Sequence, residues 1–283
     1  MRLSFIKMEA AGNDYIFLDA VSNPLPSIDW AAWIRHWSNR HVGIGSDGLI
    51  IIRRGDREPF SMEMYNADGS RGTMCGNGIR CLATYVVRAG LISRADFWVG
   101  TDAGPIRVRV SEQAFGQTAA ALMRPPVFQK TQTPFGPDGR GIESPGGESL
   151  ALEFVWVGNR HGVLFVGCLD AWDLKRWGPW LQRTDDTVPP ANYEWVQVID
   201  HERLRCRVWE RGSGETRACG TGACAAAVVA ISRGACRSPV RVEMPGGTLD
   251  VRWDGGEMLW LSGPVSETFR GSLTLTATNA MRP

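Results

Sequence analysis

The sequence lacks the features that mark membrane, secreted or nucleic-acid-binding proteins. It has no apolar run close to the 20 residues that a membrane-spanning helix needs. Residues 1–15 carry two acidic side chains and no apolar segment long enough for a signal peptide. The 31 Lys and Arg residues nearly balance the 30 Asp and Glu residues, so no basic excess points to nucleic acid or anionic lipid. We therefore expect a cytoplasmic protein whose partner is a small molecule, with no nucleic acid and no membrane.

Lysine is scarce, and the number of cysteines is odd. Lysine occurs only as Lys7, Lys130 and Lys175, which leaves few candidates for a Schiff base. Seven cysteines without a secretion signal argue against a disulfide framework, and most of them should be buried thiols. The length of 283 residues, with 43% hydrophobic residues, suits two globular domains of roughly 100–150 residues each.

The chain contains two similar segments in which a cysteine stands before Gly-x-Gly. Residues 74–90 read MCGNGIRCLATYVVRAG, and residues 218–234 read ACGTGACAAAVVAISRG. Cys75 and Cys219 align at an offset of 144 residues, close to half the chain. A Gly-Asn pair precedes each cysteine by about 60 residues, with the asparagines at 13 and 159. These features, in the same order and at nearly the same spacing, predict a duplicated domain.

Short strands dominate the expected secondary structure. Residues that largely alternate with a period of two predict strands at 97–99, 106–110, 204–209, 240–244 and 249–253. The apolar run after each Cys-Gly-x-Gly predicts a buried helix with a glycine C-cap, Gly90 in one segment and Gly234 in the other. Residues 134–147 are rich in proline and glycine and predict a loop or hairpin.

A further helix is predicted over residues 27–37, with Ser27 as its N-cap. Large apolar side chains recur there at spacings of three and four residues. They predict a stripe that faces the core, formed by Trp30, Trp33, Ile34 and Trp37.

The two Cys-Gly-x-Gly motifs predict a particular chemistry. A helix start has unpaired N–H groups and the positive end of the helix dipole, which lower the pKa of a thiol and bind anions. A carboxylate held between two such starts would have its α-carbon between two sulfur atoms. One thiolate could remove the α-proton while the opposite thiol supplies another, and the helix starts would stabilise the developing charge. This reasoning favours Cys75 and Cys219 as paired acid–base groups.

Other interpretations of the cysteines stay open at this point. Cys75 with Cys81, and Cys219 with Cys224, could suggest a zinc site, but their spacings in predicted helices fit zinc-binding loops poorly. A disulfide between Cys75 and Cys219 is conceivable, although the inferred compartment is reducing. We expect Cys81 and Cys224 to be core residues.

Two long motifs resemble the cysteine signatures of the diaminopimelate epimerase family. Residues 209–225, WERGSGETRACGTGACA, resemble the second signature, and residues 65–80, YNADGSRGTMCGNGIR, resemble the first. Residues 43–48, 244–247 and 262–264 also resemble family segments, in the same order. The likeness therefore spans nearly the whole chain.

The resemblance implies a fold and an activity. The fold would be α+β, with two pseudo-symmetric domains, each a small mixed β-barrel around a central helix, and an active site in the cleft between them. The first domain would comprise residues 1–123, with 265–283 returning to it, and the second residues 124–264. The activity would be interconversion of L,L- and meso-diaminopimelate in lysine and peptidoglycan precursor synthesis, without PLP, metal or other cofactor. The resemblance also suggests a homodimer.

The resemblance assigns roles to individual residues. Cys75 and Cys219 match the two catalytic groups. The matching substrate contacts are Asn13, Asn66, Gly76, Asn77, Asn159, Asn192, Glu210, Arg211, Gly220 and Thr221. Among them, Arg211 could hold a second carboxylate in bidentate fashion, and Glu210 could hold an ammonium group. His161 could orient the first thiol or could equally be a structural histidine.

Three positions depart from the family pattern. The usual Lys-Met-His-Gly reads Lys-Met-Glu-Ala here, with Glu9 and Ala10, and the usual Asn-Pro-His has Arg160 in the middle. Glu9 and Arg160 could pair with each other or change what the pocket for the distal end of the substrate accepts. The alternative function is therefore a racemase of another amino acid, histidine among them, on the same two-thiol machinery. A non-catalytic relative of the duplicated fold is a further alternative.

Overall fold

The structure, a computed structural model, describes residues 2–113, 116–128, 142–143, 149–185 and 189–275. The chain forms two compact units, one comprising Met1–Ala121 and Gly263–Pro283 and the other comprising Leu122–Ser262. Across the described ranges, no helix is both long and apolar enough to cross a membrane.

The structure consists mainly of strands, with a few helices. In the first half of the chain the strands are β1 (Arg2–Ala10), β2 (Asn13–Asp19), β3 (Gly48–Arg54), β4 (Phe60–Asn66), β5 (Arg71–Gly72), β6 (Asp96–Gly100), β7 (Ile106–Gln113) and β8 (Gly116–Met123). Next come β9 (Val127–Phe128), β10 (Ile142–Glu143), β11 (Ser149–Leu150), β12 (Leu152–Trp156), β13 (Arg160–Phe165), β14 (Asn192–Asp200), β15 (Arg203–Glu210), β16 (Gly214–Thr216), β17 (Val240–Met244), β18 (Gly247–Trp253) and β19 (Leu259–Thr274). The α-helices are α1 (Trp30–Trp37), α2 (Gly76–Arg88), α3 (Leu174–Thr184) and α4 (Gly220–Ser232), and a 3-10 turn covers Leu169–Ala171.

Eight strands of the first unit close into a mixed barrel around α2. Strand β1 pairs with β2, β3 with β4, β6 with β7 and β7 with β8 in antiparallel fashion, while β2–β3 and β4–β6 are parallel. Strand β19 pairs with both β8 and β1 and completes the ring. All side chains of α2 from Asn77 to Val86 are buried. The helix therefore fills the interior of the barrel.

The second unit repeats this arrangement around α4. Here β12–β13, β14–β15, β17–β18 and β18–β19 are antiparallel, and β13–β14 and β15–β17 are parallel. Strand β9 adds to β12 in antiparallel fashion. The side chains of α4 from Gly222 to Ala230 are buried. The matching order of parallel and antiparallel pairs confirms the predicted duplication and the predicted α+β fold.

The two central helices begin and end as predicted. Both span 13 residues and begin directly after a cysteine. Gly90 follows α2 with φ +68°, and Gly234 follows α4 with φ +72°, a left-handed backbone that glycine adopts without strain. Cys81 and Cys224 are fully buried within the helices, as expected of core residues.

The prediction for α1 was right in its buried face and wrong in its cap. Its four large apolar residues are all buried. The N-cap is Asp29 and not Ser27, because the Asp29 carboxylate accepts a hydrogen bond from the N–H of Ala32 at 3.3 Å. Aspartate caps helices as well as serine does, so the helix starts at Trp30.

Helix α3 was not predicted from the sequence. Asp173 is its N-cap, and Leu174, Gly178 and Leu181 form its buried face. Pro179 lies inside the helix, and the Gly-Pro pair concealed the periodic pattern. The five predicted strand segments all lie within strands. Within residues 134–147, the structure describes only 142–143, which pair with β11, and the rest lies outside the described residues.

Candidate functional site

Both predicted catalytic cysteines cap a central helix with their sulfur atoms. Cys75 Sγ accepts a hydrogen bond from the N–H of Gly78 at 3.4 Å, and Cys219 Sγ accepts one from Gly222 at 3.4 Å. Both cysteines have an extended backbone. Each thiol therefore lies beside the N–H groups of a first helical turn, which have no partner within the helix.

The second glycine of each Cys-Gly-x-Gly motif permits a close approach from the barrel wall. A Cβ atom on Gly78 would overlap Ile50 Cδ1, and a Cβ atom on Gly222 would lie 2.7 Å from Glu194 Oε1. Ile50 and Glu194 occupy equivalent positions on β3 and β14. Ile50 lies two residues after Gly48, which pairs with Tyr15, and Glu194 lies two residues after Asn192, which pairs with His161. The second unit thus places a carboxylate where the first unit places an isoleucine.

In the first unit, the side chains of Asn13 and Asn77 meet at Cys75. Asn13 Oδ1 accepts hydrogen bonds from Cys75 Sγ and from Asn77 Nδ2, each at 3.3 Å. Asn13 Nδ2 donates to Asp47 Oδ2 at 2.7 Å, and because a carboxylate only accepts, this bond turns the carbonyl oxygen toward the thiol. The structure therefore brings three of the predicted site residues together.

An ion network fixes the position of Asp47. Arg40 donates to Asp47 at 2.9 Å and to Asp14 at 2.6 Å. The buried Lys7 also pairs with Asp14 and donates to the carbonyl oxygen of Gly45. Burial opposes ionisation of Asp14, but the hydrogen bonds from Arg40 and Lys7 hold its pKa below the usual value.

The N–H groups of the helix start lower the pKa of the half-buried Cys75, as predicted, but desolvation raises it more, so the net shift is upward and not the predicted downward one. Burial raises the pKa of Cys75, although the Gly78 N–H, the Tyr15 hydroxyl and the Arg80 guanidinium act in the opposite direction. Arg80 is fully buried in α2 and donates to the Gly76 carbonyl oxygen at 3.2 Å and to Asn77 Oδ1 at 3.0 Å. The loss of solvation therefore outweighs the favourable charges near this thiolate.

Cys219 lies in a more acidic environment. Burial raises its pKa well above that of an ordinary thiol, and the carboxylates of Glu210 and Glu194 raise it further. Its Sγ lies 3.4 Å from Thr221 Oγ1. Burial also raises the pKa of Glu210, against the opposing effect of hydrogen bonds from Thr216 and Cys219. The environment of this cysteine therefore favours the protonated thiol.

His161 is engaged through both ring nitrogens. It is fully buried, with Nδ1 2.7 Å from Glu194 Oε1 and Nε2 2.7 Å from Asn159 Oδ1. These contacts anchor Asn159 to the barrel wall and favour the structural interpretation of this histidine over a role in orienting a thiol.

The remaining predicted contacts lie at the ends of strands. Asn66 ends β4 and donates to Ser70 Oγ at 2.9 Å. Glu210 ends β15, the equivalent strand of the second unit, which agrees with the alignment of the repeat. Asn192 begins β14, and its Oδ1 accepts a hydrogen bond from the N–H of Arg211 at 2.9 Å. The Arg211 residue itself is exposed.

The departures from the family pattern have partners within their own units. Glu9 Oε2 accepts a hydrogen bond from the N–H of Gly12 at 2.9 Å and supports the turn between β1 and β2, in which Ala11 has φ +54°. Arg160 Nη1 lies 2.9 Å from both oxygens of Asp185. Glu9 and Arg160 belong to different units, and a pair between them stays a prediction.

Four residues with clear positions at the two thiols were missed in the sequence. Asp47 and Arg80 lie inside motifs that were noted only for their resemblance. Tyr15 and His161 are equivalent in the repeat, because each follows the Gly-Asn asparagine by two residues. The interest in His161 therefore predicts a role for Tyr15 at the equivalent position. Glu194 gave no signal, because a single acidic residue in an apolar strand does not reveal what it faces.

Comparison with known proteins agrees with the fold and the motifs. A model of the diaminopimelate epimerase family matches residues 5–124 and 154–266. The diaminopimelate epimerase of Aromatoleum aromaticum is 38% identical over 280 residues, covering 96% of this chain and 99% of its relative. Two solved structures share the fold. A phenazine biosynthesis protein of the PhzF family from Bacillus anthracis has a TM-score of 0.74 at 14% identity, covering 97% of this chain and 100% of that one. A probable proline racemase from Agrobacterium radiobacter has a TM-score of 0.71 at 13% identity, covering 98% and 95%.

The family match and the two cysteine-capped helices define the class of this protein. It is an isomerase with a duplicated barrel-and-helix fold. The chain belongs to the diaminopimelate epimerase family.

Proposed function

We propose that this chain interconverts L,L- and meso-diaminopimelate by proton transfer at one α-carbon, with Cys75 and Cys219 as the acid–base groups. The observation that carries the proposal is the pair of helix starts. At each of them, a cysteine sulfur accepts a hydrogen bond from a backbone N–H group. A duplicated fold supplies one such thiol from each half. An α-carbon that must lose a proton on one face and gain one on the other needs two groups of this kind.

In the proposed mechanism the two thiols exchange roles in every turnover. The thiolate takes the α-proton and becomes a thiol, while the other thiol gives its proton to the opposite face of the carbon and becomes a thiolate. The carboxylate next to the reacting carbon accepts the charge that develops between these steps. Its hydrogen-bond donors are the backbone N–H groups at Gly76, Asn77, Gly220 and Thr221, where the helix dipoles favour negative charge.

The surroundings of the two cysteines support different resting states. The Tyr15 hydroxyl and the Arg80 guanidinium lower the pKa of Cys75 against its burial, while Glu210 and Glu194 add to the effect of burial at Cys219. We therefore assign the first ionisation to Cys75 and the role of resting proton donor to Cys219. Reaction in the opposite direction starts from the reverse assignment.

Recognition of diaminopimelate requires groups for its second, non-reacting amino-acid centre. Arg211 is proposed to bind the distal carboxylate, because its guanidinium presents two parallel donors. Asn66, Asn159, Asn192 and Glu210 are proposed to bind the other polar groups of the substrate. Arg160 is directed to Asp185 within its own unit, which supports the view that this departure leaves the substrate class unchanged.

Solvent-deuterium incorporation at the α-carbon tests the proposal. The reduced protein is incubated in D2O without added cofactor, separately with L,L-diaminopimelate, L-histidine, L-lysine and L-glutamate, and followed by NMR. Exchange with diaminopimelate alone is the expected result. Exchange with another amino acid instead would retain the two-thiol chemistry and refute the substrate, and no exchange with any of them would refute the activity toward these substrates.

A cytoplasmic location and a homodimer complete the proposal. The location follows from the composition of the chain, and the homodimer follows only from the resemblance to the family. Light scattering during size-exclusion chromatography measures the oligomeric state, and a mass of one chain, 31.1 kDa, would refute the homodimer.

A further inference from the structure

Arg160 and Asp185 form a buried ion pair beside the start of β14. Arg160 Nη1 lies 2.9 Å from each Asp185 oxygen, and its guanidinium stacks 4.2 Å from the ring centre of Phe154. The Asp185 side chain is fully buried and that of Arg160 is 11% exposed. Because either charge alone would be costly in such a place, the pair holds both side chains in a fixed geometry.

The Asp185 carboxylate connects the end of α3 to the start of β14. Its Oδ2 accepts hydrogen bonds from the N–H of Ala191 at 2.9 Å and from the Tyr193 hydroxyl at 2.8 Å. The N–H of Asp185 donates to the Leu181 carbonyl oxygen at 2.9 Å, so the residue is also the C-cap of α3. One carboxylate thus holds both residues that flank Asn192.

Asn192 links the segment held by Asp185 to Arg211. Its Oδ1 accepts the hydrogen bond from the Arg211 N–H at 2.9 Å, and Arg211 Nη1 donates to the Pro190 carbonyl oxygen at 3.4 Å. Helix α3 also holds the neighbouring Trp209, whose Nε1 donates to Gln182 Oε1 at 3.1 Å. The backbone and the side chain of Arg211 therefore both contact the segment that Asp185 fixes.

We infer that Arg160 and Asp185 are positioning residues for Asn192 and Arg211, and that through them they set the affinity for a substrate with a distal carboxylate. The inference rests on the proposed function for the identity of that carboxylate. Arg160 is the residue that departs from the proline of the family motif. The inferred positioning gives Arg160 a role in substrate selection without contact between Arg160 and the substrate.

The test compares Arg160→Met with a matched control. Methionine keeps much of the side-chain volume and removes the charge. The double variant R160M/D185N removes both charges while it keeps an acceptor for Ala191, so it guards against misfolding caused by an unpaired buried carboxylate. Arg233→Met is the control, because Arg233 also stacks on a phenylalanine ring in the same unit, 4.5 Å from Phe165, and pairs with Glu153 on β12.

The first measurement needs no substrate. Hydrogen exchange followed by NMR is expected to show the amides of Ala191 and Arg211 exchanging about 10-fold faster in Arg160→Met than in the parent or in Arg233→Met. The amides of α4 should be unchanged, which distinguishes local release from global destabilisation. Unchanged exchange at Ala191 and Arg211 in both Arg160 variants would overturn the inference, whatever the substrate is.

The second measurement separates binding from chemistry. With diaminopimelate, KM is expected to rise about 10-fold in Arg160→Met and in R160M/D185N, because Arg211 binds the distal carboxylate less tightly. The value of kcat should stay within about 3-fold of the parent's, because the two thiols are unchanged. A fall in kcat with unchanged KM would overturn the positioning role. If the parent protein exchanges only a substrate without a distal carboxylate, the proposed function fails. The positioning role is then decided by the hydrogen exchange at Ala191 and Arg211 alone, and unchanged exchange there overturns it.

Discussion

Replacing Gly222 with alanine tests whether the hydrogen bond to His161 fixes the carboxylate of Glu194 in its position next to Gly222. The new Cβ would lie 2.7 Å from Glu194 Oε1 and 3.2 Å from the Cβ of Cys219. Glu194 Oε1 is the same oxygen that lies 2.7 Å from Nδ1 of His161. The carboxylate can therefore yield to the methyl group only by breaking its bond to the buried histidine.

The cost of this substitution follows from three terms. Overpacking in a filled core costs about 1–3 kcal/mol. Loss of a hydrogen bond to a charged group costs about 1.5–3 kcal/mol, and replacing glycine by alanine in a helix returns about 1 kcal/mol. The sum predicts a destabilisation of about 1.5–5 kcal/mol for Gly222→Ala. Gly78→Ala is the matched control: its methyl group would meet the apolar Ile50, no hydrogen bond is lost, and the same terms give about 0–2 kcal/mol.

Urea titration read by hydrogen-exchange mass spectrometry measures both variants. Peptides are followed for each unit separately, because two units need not unfold together. Peptides of α4 and β14 should lose protection at lower urea in Gly222→Ala, and peptides of α2 and β3 should change less in Gly78→Ala. Equal or smaller destabilisation by Gly222→Ala would show that Glu194 moves freely and would contradict the prediction.

Three further predictions concern the thiols and their acidic neighbour. Cys75→Ala and Cys219→Ala should each reduce epimerisation by at least about 10³-fold in the deuterium assay, because each removes one of two obligatory proton carriers; a single variant that still epimerises contradicts the two-thiol mechanism. Iodoacetamide should label Cys75 faster than Cys219 at pH 8, and both rates should rise with pH, because burial raises both pKa values and the carboxylates raise that of Cys219 further. Mass spectrometry quantifies the labelling against the exposed Cys168, and faster labelling of Cys219 contradicts the assignment. Glu210→Gln should raise Tm at pH 7 while it lowers kcat/KM. Since burial raises the folded pKa of Glu210, the stability from its protonated form is full below the unfolded pKa and is lost as pH rises through the folded pKa. Calorimetry should show a higher Tm for Glu210→Gln than for the parent at pH 7 and a smaller difference in Tm at pH 4. A lower Tm of the variant at pH 7 is the contradicting result.

The internal repeat explains why so much of the fold could be predicted from the sequence. Each Cys-Gly-x-Gly defines a helix start, because the cysteine caps the first turn and the glycines admit the barrel wall. Asn66 and Glu210, two of the predicted substrate contacts, are separated by the same 144 residues as the two cysteines, and both end equivalent strands. These features are local in the chain or repeated in it, so a single sequence carries them.

The features that escaped prediction depend on tertiary packing. A helix start lowers the pKa of a cysteine in isolation, but the depth of burial around Cys75 and Cys219 reverses the direction, and burial is not a local property of the sequence. Glu194 reaches Cys219 only because β14 lies beside α4. Asp185 acts on a strand that begins seven residues later. Such contacts join residues whose spacing in the chain carries no pattern.

Strand β19 has a consequence for how the protein is made. Its first residues pair with β18 in the second unit, and its later residues pair with β1, from Glu9 opposite Ser266 to Arg2 opposite Thr274. During synthesis on the ribosome, the first barrel therefore cannot close until β19 has emerged. Until then, the edges of β1 and β8 that pair with β19 have no partner strand. The strands from β12 to β18, with the helix they surround, emerge before that strand. The duplicated halves share one fold, and the half that is translated first is the one completed last.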